Sequence, residues 1–266
     1  MVVSMDVIIN KQYGDATNQH TCEYWVQAAR RKWVIACIAG PPCETWSCAR
    51  GAPLPDALEQ QKETYCSGPR ILRDLEHLWG FDSLTLRELR QVSVGNALLC
   101  FALLMVIELI ITDGYALLEH PAEPLDDGTK ASIWRLPLLK ALECFPNVEI
   151  IRFAQGLMGA SSPKPTNLLL VNLPLLLQDL HEGRVRTELL RMAAIGKSND
   201  GSWRTSALKE YAPAMCRSIA ISLFRAFQSC PVADAAEEPL PAFLQLCQSL
   251  VQTDFGESMG ADYAGS

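Results

Sequence analysis

The feature that most constrains the fold is a rigid proline turn that directly follows an apolar run. Residues 33–39 read Trp-Val-Ile-Ala-Cys-Ile-Ala, and residues 40–47 read Gly-Pro-Pro-Cys-Glu-Thr-Trp-Ser. A short apolar run indicates a buried strand, and two consecutive prolines cannot continue the ladder of a sheet. The chain must therefore turn at Pro41, which sets Cys43 just beyond a strand end. Open α/β sheets bind ligands at this edge, so Cys43 is a candidate nucleophile.

A second apolar strand ends in the same way. Residues 115–118 are apolar and run directly into Glu119, His120 and Pro121. If the two strands are parallel neighbours, Cys43 and Glu119 lie at one edge of the sheet. We also expect Cys43 to be the most reactive thiol, because the turn exposes it while most other cysteines lie in apolar helices or strands. The residues alone leave three alternatives open: an ordinary half-buried cysteine, a capping or surface carboxylate, and a thiol hydrolase that pairs Cys43 with His120.

The remaining apolar pattern predicts an α/β fold, because strands alternate with helices along the chain. The predicted strands cover residues 2–9, 33–39, 115–119, 148–154 and 166–172, and the predicted helices cover residues 18–31, 84–111, 133–142 and 206–228. A turn-rich segment at residues 156–165 joins the last two strands, which predicts a hairpin with a long tip. Residues 48–70 are predicted to form an active-site loop with a short helical piece.

The two strand-end motifs resemble those of the DNA (cytosine-5) methyltransferase family. That family carries a Pro-Pro-Cys loop after one strand and a Glu-Asn-Val tripeptide after the next. Here the first reads Pro41-Pro42-Cys43, and the second departs from the pattern as Glu119-His120-Pro121. The resemblance covers roughly residues 1–225. It implies a Rossmann-like methyltransferase sheet that is mostly parallel and ends in a C-terminal antiparallel hairpin.

The resemblance implies a role for each matching residue. Cys43 would be the nucleophile that adds to C6 of cytosine, and Glu119 would be the acid that bonds N3, which requires a raised pKa. The target base must leave the nucleic-acid stack to reach this pair, so DNA is the implied partner. The other implied contacts are Pro42, Trp46, Ser47 and Lys164 for the substrate, and Asp6, Asp15 and Pro41 for S-adenosylmethionine. No metal site is predicted.

The sequence departs from the family at the cofactor site. The family's glycine-rich Phe-x-Gly-x-Gly loop has no counterpart, and residues 2–9 look like the family's second strand. We therefore expect an N-terminally truncated domain over residues 1–230 that lacks the first strand and binds S-adenosylmethionine weakly or not at all. The sheet would be completed by direct pairing of residues 2–9 with residues 34–39, by a missing N-terminal segment or by another chain. We favour direct pairing because it satisfies the backbone groups within one chain. The family's Gln-x-Arg-x-Arg segment is also absent, since no arginine follows Gln155 closely.

The alternative to an enzyme is a non-catalytic remnant of the methyltransferase fold, such as a fragment of a larger mobile-element protein. The missing glycine loop favours the remnant. The Pro-Pro-Cys turn and the strand-end Glu119 favour the enzyme.

Charge and cysteine content bear on partners and compartment. Of the net charge of −7, residues 231–266 carry −6, from six acidic residues and no Lys or Arg, which leaves −1 for the rest. A nearly neutral body neither favours nor excludes DNA, and the acidic tail is expected to be loosely attached. Ten cysteines without paired spacing indicate a reduced intracellular compartment, either nucleus or cytoplasm. The longest apolar run, residues 97–111, is shorter than a bilayer span and predicts a buried helix and no membrane contact.

Overall fold

A four-stranded mixed sheet lies at the centre of the described chain. The computed structural model describes residues 3, 11–47, 50, 69–125, 128–188 and 210–229. The strands are β1 (Ala36–Ala39), β2 (Tyr115–Pro121), β3 (Val148–Ala154) and β4 (Pro165–Val171). Their order across the sheet is β1-β2-β4-β3. The predicted α/β class is therefore confirmed.

The pairing confirms two predictions and corrects a third. β1 and β2 are parallel neighbours, and β3 and β4 form the predicted antiparallel hairpin at one end of the sheet. β4 also pairs antiparallel with β2, so only one of the three ladders is parallel. The sheet is therefore mixed rather than mostly parallel, because the hairpin folds back and inserts its second strand between β2 and β3.

Several predicted segments lie outside the described residues. These are the strand at residues 2–9 (apart from Val3), the acidic tail at residues 231–266, and most of the predicted loop at residues 48–70. Val3 is exposed and belongs to no strand. Within the described residues, β1 pairs only with β2.

Six helices surround the sheet in the described part of the chain. They are α1 (Lys11–Gly14), α2 (Gln19–Arg30), α3 (Leu86–Ile111), α4 (Pro137–Leu142), α5 (Leu176–Glu182) and α6 (Pro213–Ser229). Two short 3-10 turns lie at Ile133–Arg135 and Gln155–Met158. α3 begins with a capping box in which Thr85 and Glu88 satisfy each other's backbone N–H groups. α6 begins at Pro213, later than predicted, since proline suits the first turn of a helix.

α3 is the central core helix. By length and composition it could cross a membrane, but 83% of its most apolar window is buried inside the protein. The prediction of a buried helix is confirmed. Glu108 on α3 is 1% exposed, and Arg30 of α2 binds both of its carboxylate oxygens, with Nη2 2.6 Å from Oε1 and Nε 3.1 Å from Oε2. This pair compensates the buried charge and ties α2 to α3.

The two faces of the sheet carry different helices, and this division positions the functional side chains. Ala116 and Leu118 of β2 belong to the core that contains α3, whereas Tyr115 and Leu117 belong to the core that contains α5 and α6. Because side chains alternate along a strand, Glu119 follows the α6 face and His120 follows the α3 face. The two neighbouring residues therefore have different surroundings.

Candidate functional site: a buried thiol–carboxyl pair

Cys43 and Glu119 meet at the same edge of the sheet. In the parallel ladder Ala39 lies opposite Leu118, so Gly40, the first residue after β1, lies beside Glu119, which is still within β2. A Cβ built on Gly40 would lie 3.7 Å from Glu119 Oε2. Burial and then the carboxylates of Glu119 and Glu44 together raise the pKa of the Cys43 thiol to about 11.

Glu119 is buried and holds a polar partner at each carboxylate oxygen. Gln155 donates through Nε2 to Oε1 over 2.9 Å, and the Tyr211 hydroxyl donates to Oε2 over 3.4 Å. The ammonium of Lys164 lies 3.9 Å from Oε1. Burial raises the pKa of Glu119, and Lys164, Tyr211 and Gln155, in that order, oppose the rise. The result is a carboxyl group that retains a proton more readily than an exposed glutamate, as a general acid requires.

Lys164 lies at this carboxylate and not on an open hairpin tip. Its backbone has a φ of 38°, in the left-handed region that residues other than glycine seldom adopt. The side chain is only 14% exposed, and Nζ lies 5.6 Å from the centre of the Tyr211 ring. The Lys164 charge also lowers the pKa of Cys43. One cation thus acts on both members of the pair.

Gln155 and Tyr211 complete the site, and the sequence interpretation assigned neither of them a role. Gln155 is fully buried, and its Nε2 also donates to Thr166 Oγ1 over 3.0 Å. Its sequence signal is its match to the first position of the family's Gln-x-Arg-x-Arg segment. Tyr211 lies 92 positions after Glu119, and we find no sequence pattern that marks it.

The turn itself holds three predicted substrate residues, Pro42, Trp46 and Ser47, and one predicted cofactor residue, Pro41. Pro41 and Pro42 are half-buried, and the turn closes with a bond from Trp46 N to Cys43 O of 3.0 Å. Trp46 is 4% exposed, with the Arg73 guanidinium 4.1 Å from the centre of its ring. Trp46 therefore packs the turn against the protein. Ser47 lies next to it at the edge of a narrow cleft.

His120 lies away from the thiol. Its ring meets Trp46 edge-on at 6.3 Å between centres, on the α3 face of the sheet. Burial lowers the pKa of His120 to about 3, so the imidazole is neutral near pH 7. This placement does not provide the Cys43–His120 pair that a thiol hydrolase would need.

Cys43 is half-buried; among the other described thiols Cys22 and Cys100 are buried, whereas Cys144 and Cys216 are exposed. The prediction that the turn exposes Cys43 ahead of the other thiols is therefore wrong for Cys144 and Cys216. The turn lies against the buried end of β2, so the strand edge does not present the thiol to solvent.

Of the predicted cofactor-side residues, only Pro41 lies in this group within the described residues, in the turn before Cys43. Asp6 lies outside the described residues. Asp15 lies in the turn before α2, where its Oδ1 accepts bonds from Thr17 N at 3.0 Å and from Thr17 Oγ1 at 2.6 Å. Asp15 is not among the charges that shift the pKa of Cys43 or Glu119. No group of three or more His, Cys, Asp or Glu side chains suited to a metal occurs in the described part of the chain.

Compared with known proteins, the chain matches no family model, no curated protein and no solved structure. The fold and the site define an α/β protein with a mixed sheet and a buried thiol–carboxyl pair at adjacent strand ends.

Proposed function

We propose that this chain is a methyltransferase-like domain of an intracellular protein, in nucleus or cytoplasm, that resembles cytosine-5 DNA methyltransferases and acts on a cytosine base. Cys43 is the nucleophile and Glu119 is the acid that holds N3. One observation carries the proposal: the turn that follows β1 and Glu119 of β2 lie at the same edge of the sheet, with Glu119 Oε2 3.7 Å from a Cβ built on Gly40. The antiparallel β3–β4 pair at the end of the sheet supports the fold assignment.

The pair is suited to a reversible addition to the pyrimidine ring. The thiol proton leaves to solvent, and the Cys43 sulfur forms a bond to C6 while Glu119 gives its proton to N3. The C5–C6 double-bond electrons then reside at C5, which takes a proton from water while N3 returns its proton to Glu119. Loss of the other hydrogen from C5 expels the thiolate and restores the ring. The net result is exchange of the C5 hydrogen with solvent.

The surrounding residues support these steps in different ways. Lys164 lowers the pKa of the thiol, which favours the nucleophilic thiolate. Gln155 holds Oε1 of Glu119, so Oε2 is the oxygen available to the base. The Tyr211 hydroxyl donates to Oε2 over 3.4 Å, a longer hydrogen bond than the 2.9 Å bond from Gln155 to Oε1. A base that binds at Oε2 replaces the bond from Tyr211.

Of the residues that the resemblance implies for S-adenosylmethionine, Asp15 accepts hydrogen bonds from Thr17 through Oδ1, and Asp6 lies outside the described residues. We therefore derive no methyl-transfer step, and weak or lost cofactor binding is part of the proposal. Titration calorimetry tests it: tight one-to-one binding of S-adenosylmethionine would show that this part is wrong.

A non-catalytic remnant of the same fold is the second candidate. The observation that favours it is the resting state of the pair: burial raises the pKa of Cys43 to about 11, and Tyr211 is bonded to Glu119. At neutral pH the thiol is then protonated and the acid already has a partner.

Deuterium exchange at cytosine C5 separates the two candidates without any cofactor. The protein is incubated in D2O with a single-stranded oligonucleotide that contains cytosine, and the oligonucleotide mass is followed. The proposal expects mass gain with the unaltered protein and with Cys144→Ser, and none with Cys43→Ser. Absence of exchange in a folded protein up to about pH 9 would leave the remnant as the correct interpretation.

A further inference from the structure

A narrow cleft lined by cations lies beside the Cys43 turn. Its walls include Trp46, Ser47, Arg50, Arg73 and Lys130. These residues come from the turn, from the segment before α3 and from the segment before α4. None of the residues that line the cleft is a carboxylate, although it brings three basic side chains together.

Arg73 is the most unusual of these groups, because it is a buried cation bonded only to neutral partners. It is 2% exposed. Its guanidinium donates to Thr45 Oγ1 at 2.9 and 3.2 Å, to Leu78 O at 2.8 Å and to Val92 O at 3.3 Å. Buried charges in proteins are normally paired with an opposite charge, so the described residues leave Arg73 uncompensated.

Arg50 adds a second charge with neutral partners. It donates to Glu44 O at 2.6 Å, to Arg70 O at 2.7 Å and to Gln91 Oε1 at 3.3 Å. The carboxylates of Glu88 and Glu44 act on it from outside the cleft. Burial and then repulsion by Arg50 lower the pKa of Arg73 to about 9, as expected for two cations close together without an intervening anion.

The cleft also borders an unsatisfied donor. Trp46 Nε1 is buried and has no hydrogen-bond partner in the described structure. The free volume is about 20 Å³, which admits a group the size of a water molecule but not a base or a sugar. A small anionic oxygen is the group that suits this size and charge.

We propose that the cleft formed by Trp46, Arg50, Arg73 and Lys130 binds a phosphodiester oxygen of the nucleic-acid strand whose cytosine enters the Cys43–Glu119 site. The choice of a phosphodiester rests on the proposed function. The turn supports it, because Thr45 and Trp46 line the cleft two and three residues after Cys43. Lys164, the basic substrate contact that the resemblance implies, lies at Glu119, so the cleft supplies the cations for a phosphate instead.

Fluorescence anisotropy with a thymidine oligonucleotide tests the proposal. A thymidine oligonucleotide contains no cytosine that could enter the Cys43–Glu119 site. The anisotropy measurement is therefore independent of the C5 exchange experiment, and one of the two experiments can fail while the other succeeds. Arg50→Gln and Lys130→Gln are each expected to weaken binding about tenfold and to reduce the salt-dependence slope by about one. Arg50→Lys keeps the charge and retains most of the affinity. Lys140→Gln is the matched control, since Lys140 is exposed and paired with Glu143.

Two further probes identify the ligand. An uncharged methylphosphonate oligonucleotide of the same length is expected to bind at least tenfold more weakly. Equal binding of this probe, or unchanged binding by both glutamine variants, would overturn the proposal. Inorganic phosphate alone distinguishes a free anion from a strand: tight phosphate binding together with no oligonucleotide binding would also overturn it.

Discussion

Gln155 donates a hydrogen bond through Nε2 to Glu119 Oε1 over 2.9 Å, and the same nitrogen donates to Thr166 Oγ1 over 3.0 Å. This places an amide donor, 0% exposed, between the end of β2 and the start of β4. The bond holds Oε1 in place, while Oε2 accepts the longer hydrogen bond of 3.4 Å from the Tyr211 hydroxyl. It also opposes the rise that burial causes in the pKa of Glu119.

Replacing Gln155 by leucine removes this donor at similar side-chain volume. We expect the pKa of Glu119 to rise further, so that any activity that needs protonated Glu119 persists to higher pH. The carboxyl signal of Glu119, followed by NMR or infrared titration, reports the change. Gln178→Leu is the control, because Gln178 makes an exposed bond to Glu182 far from the site. An unchanged titration of Glu119 in Gln155→Leu would contradict the role assigned to Gln155.

The pH dependence of stability follows from Glu119 itself. Its pKa is higher in the folded protein than in the unfolded chain, so the folded state binds more protons between the two values. The free energy of unfolding therefore falls as pH rises through that window, by about 1.4 kcal/mol for each unit of separation. The Glu119→Gln variant has no such titrating group, so its free energy of unfolding should not fall in this window. Denaturant unfolding from pH 4 to 8 should therefore show the stability of the variant rising relative to that of the unaltered protein as pH rises. If the free energies of unfolding of the two proteins change in parallel with pH, the raised pKa of Glu119 is refuted.

The thiol of Cys43 should react slowly. Because burial raises its pKa to about 11, we expect alkylation at pH 8 to label the exposed Cys144 well before Cys43. Glu119→Gln removes a negative neighbour and should speed labelling of Cys43, whereas Lys164→Met removes a positive neighbour and should slow it. Time-resolved peptide mass mapping measures all three. Labelling of Cys43 ahead of Cys144 in the unaltered protein is the contrary result.

Position 40 requires glycine because the Tyr211 hydroxyl leaves no room for a larger side chain there. A Cβ at this position would overlap the Tyr211 hydroxyl and lie close to Glu119. We expect Gly40→Ala to cost about 1–3 kcal/mol in the free energy of unfolding. Adding Tyr211→Phe removes the overlapping oxygen and should recover part of that loss. Gly128→Ala is the control, since nothing lies within 4 Å of a Cβ there. Equal losses with and without the Tyr211 hydroxyl would disprove the contact.

The ion pair between Arg30 of α2 and Glu108 of α3 provides a test of the fold. Arg30→Met leaves Glu108 buried without its guanidinium and should destabilise the protein by about 2 kcal/mol, since the half-exposed arginine reduces the effect. The double variant Arg30→Met with Glu108→Leu should recover much of this loss. Thermal or denaturant unfolding measures both. A double variant that is less stable than Arg30→Met alone would contradict this account.

The sequence by itself determined the local elements and one part of the site. The apolar runs located all four described strands, and residues 148–154 match β3 at both ends. Two strands that each end at a proline were enough to predict that Cys43 and Glu119 share an edge. These features follow from backbone chemistry and side-chain periodicity, which act over a few residues.

Only the tertiary structure decided what surrounds that pair. Tyr211 reaches Glu119 across 92 positions, Lys164 reaches it through a left-handed turn, and Arg50 and Arg73 come together beside Trp46. The insertion of β4 between β2 and β3 is likewise a long-range pairing, because β2 and β4 are far apart along the chain. Burial and charge proximity are properties of the packed chain, so the raised pKa values of Cys43 and Glu119 exist only once distant segments exclude water from the same edge.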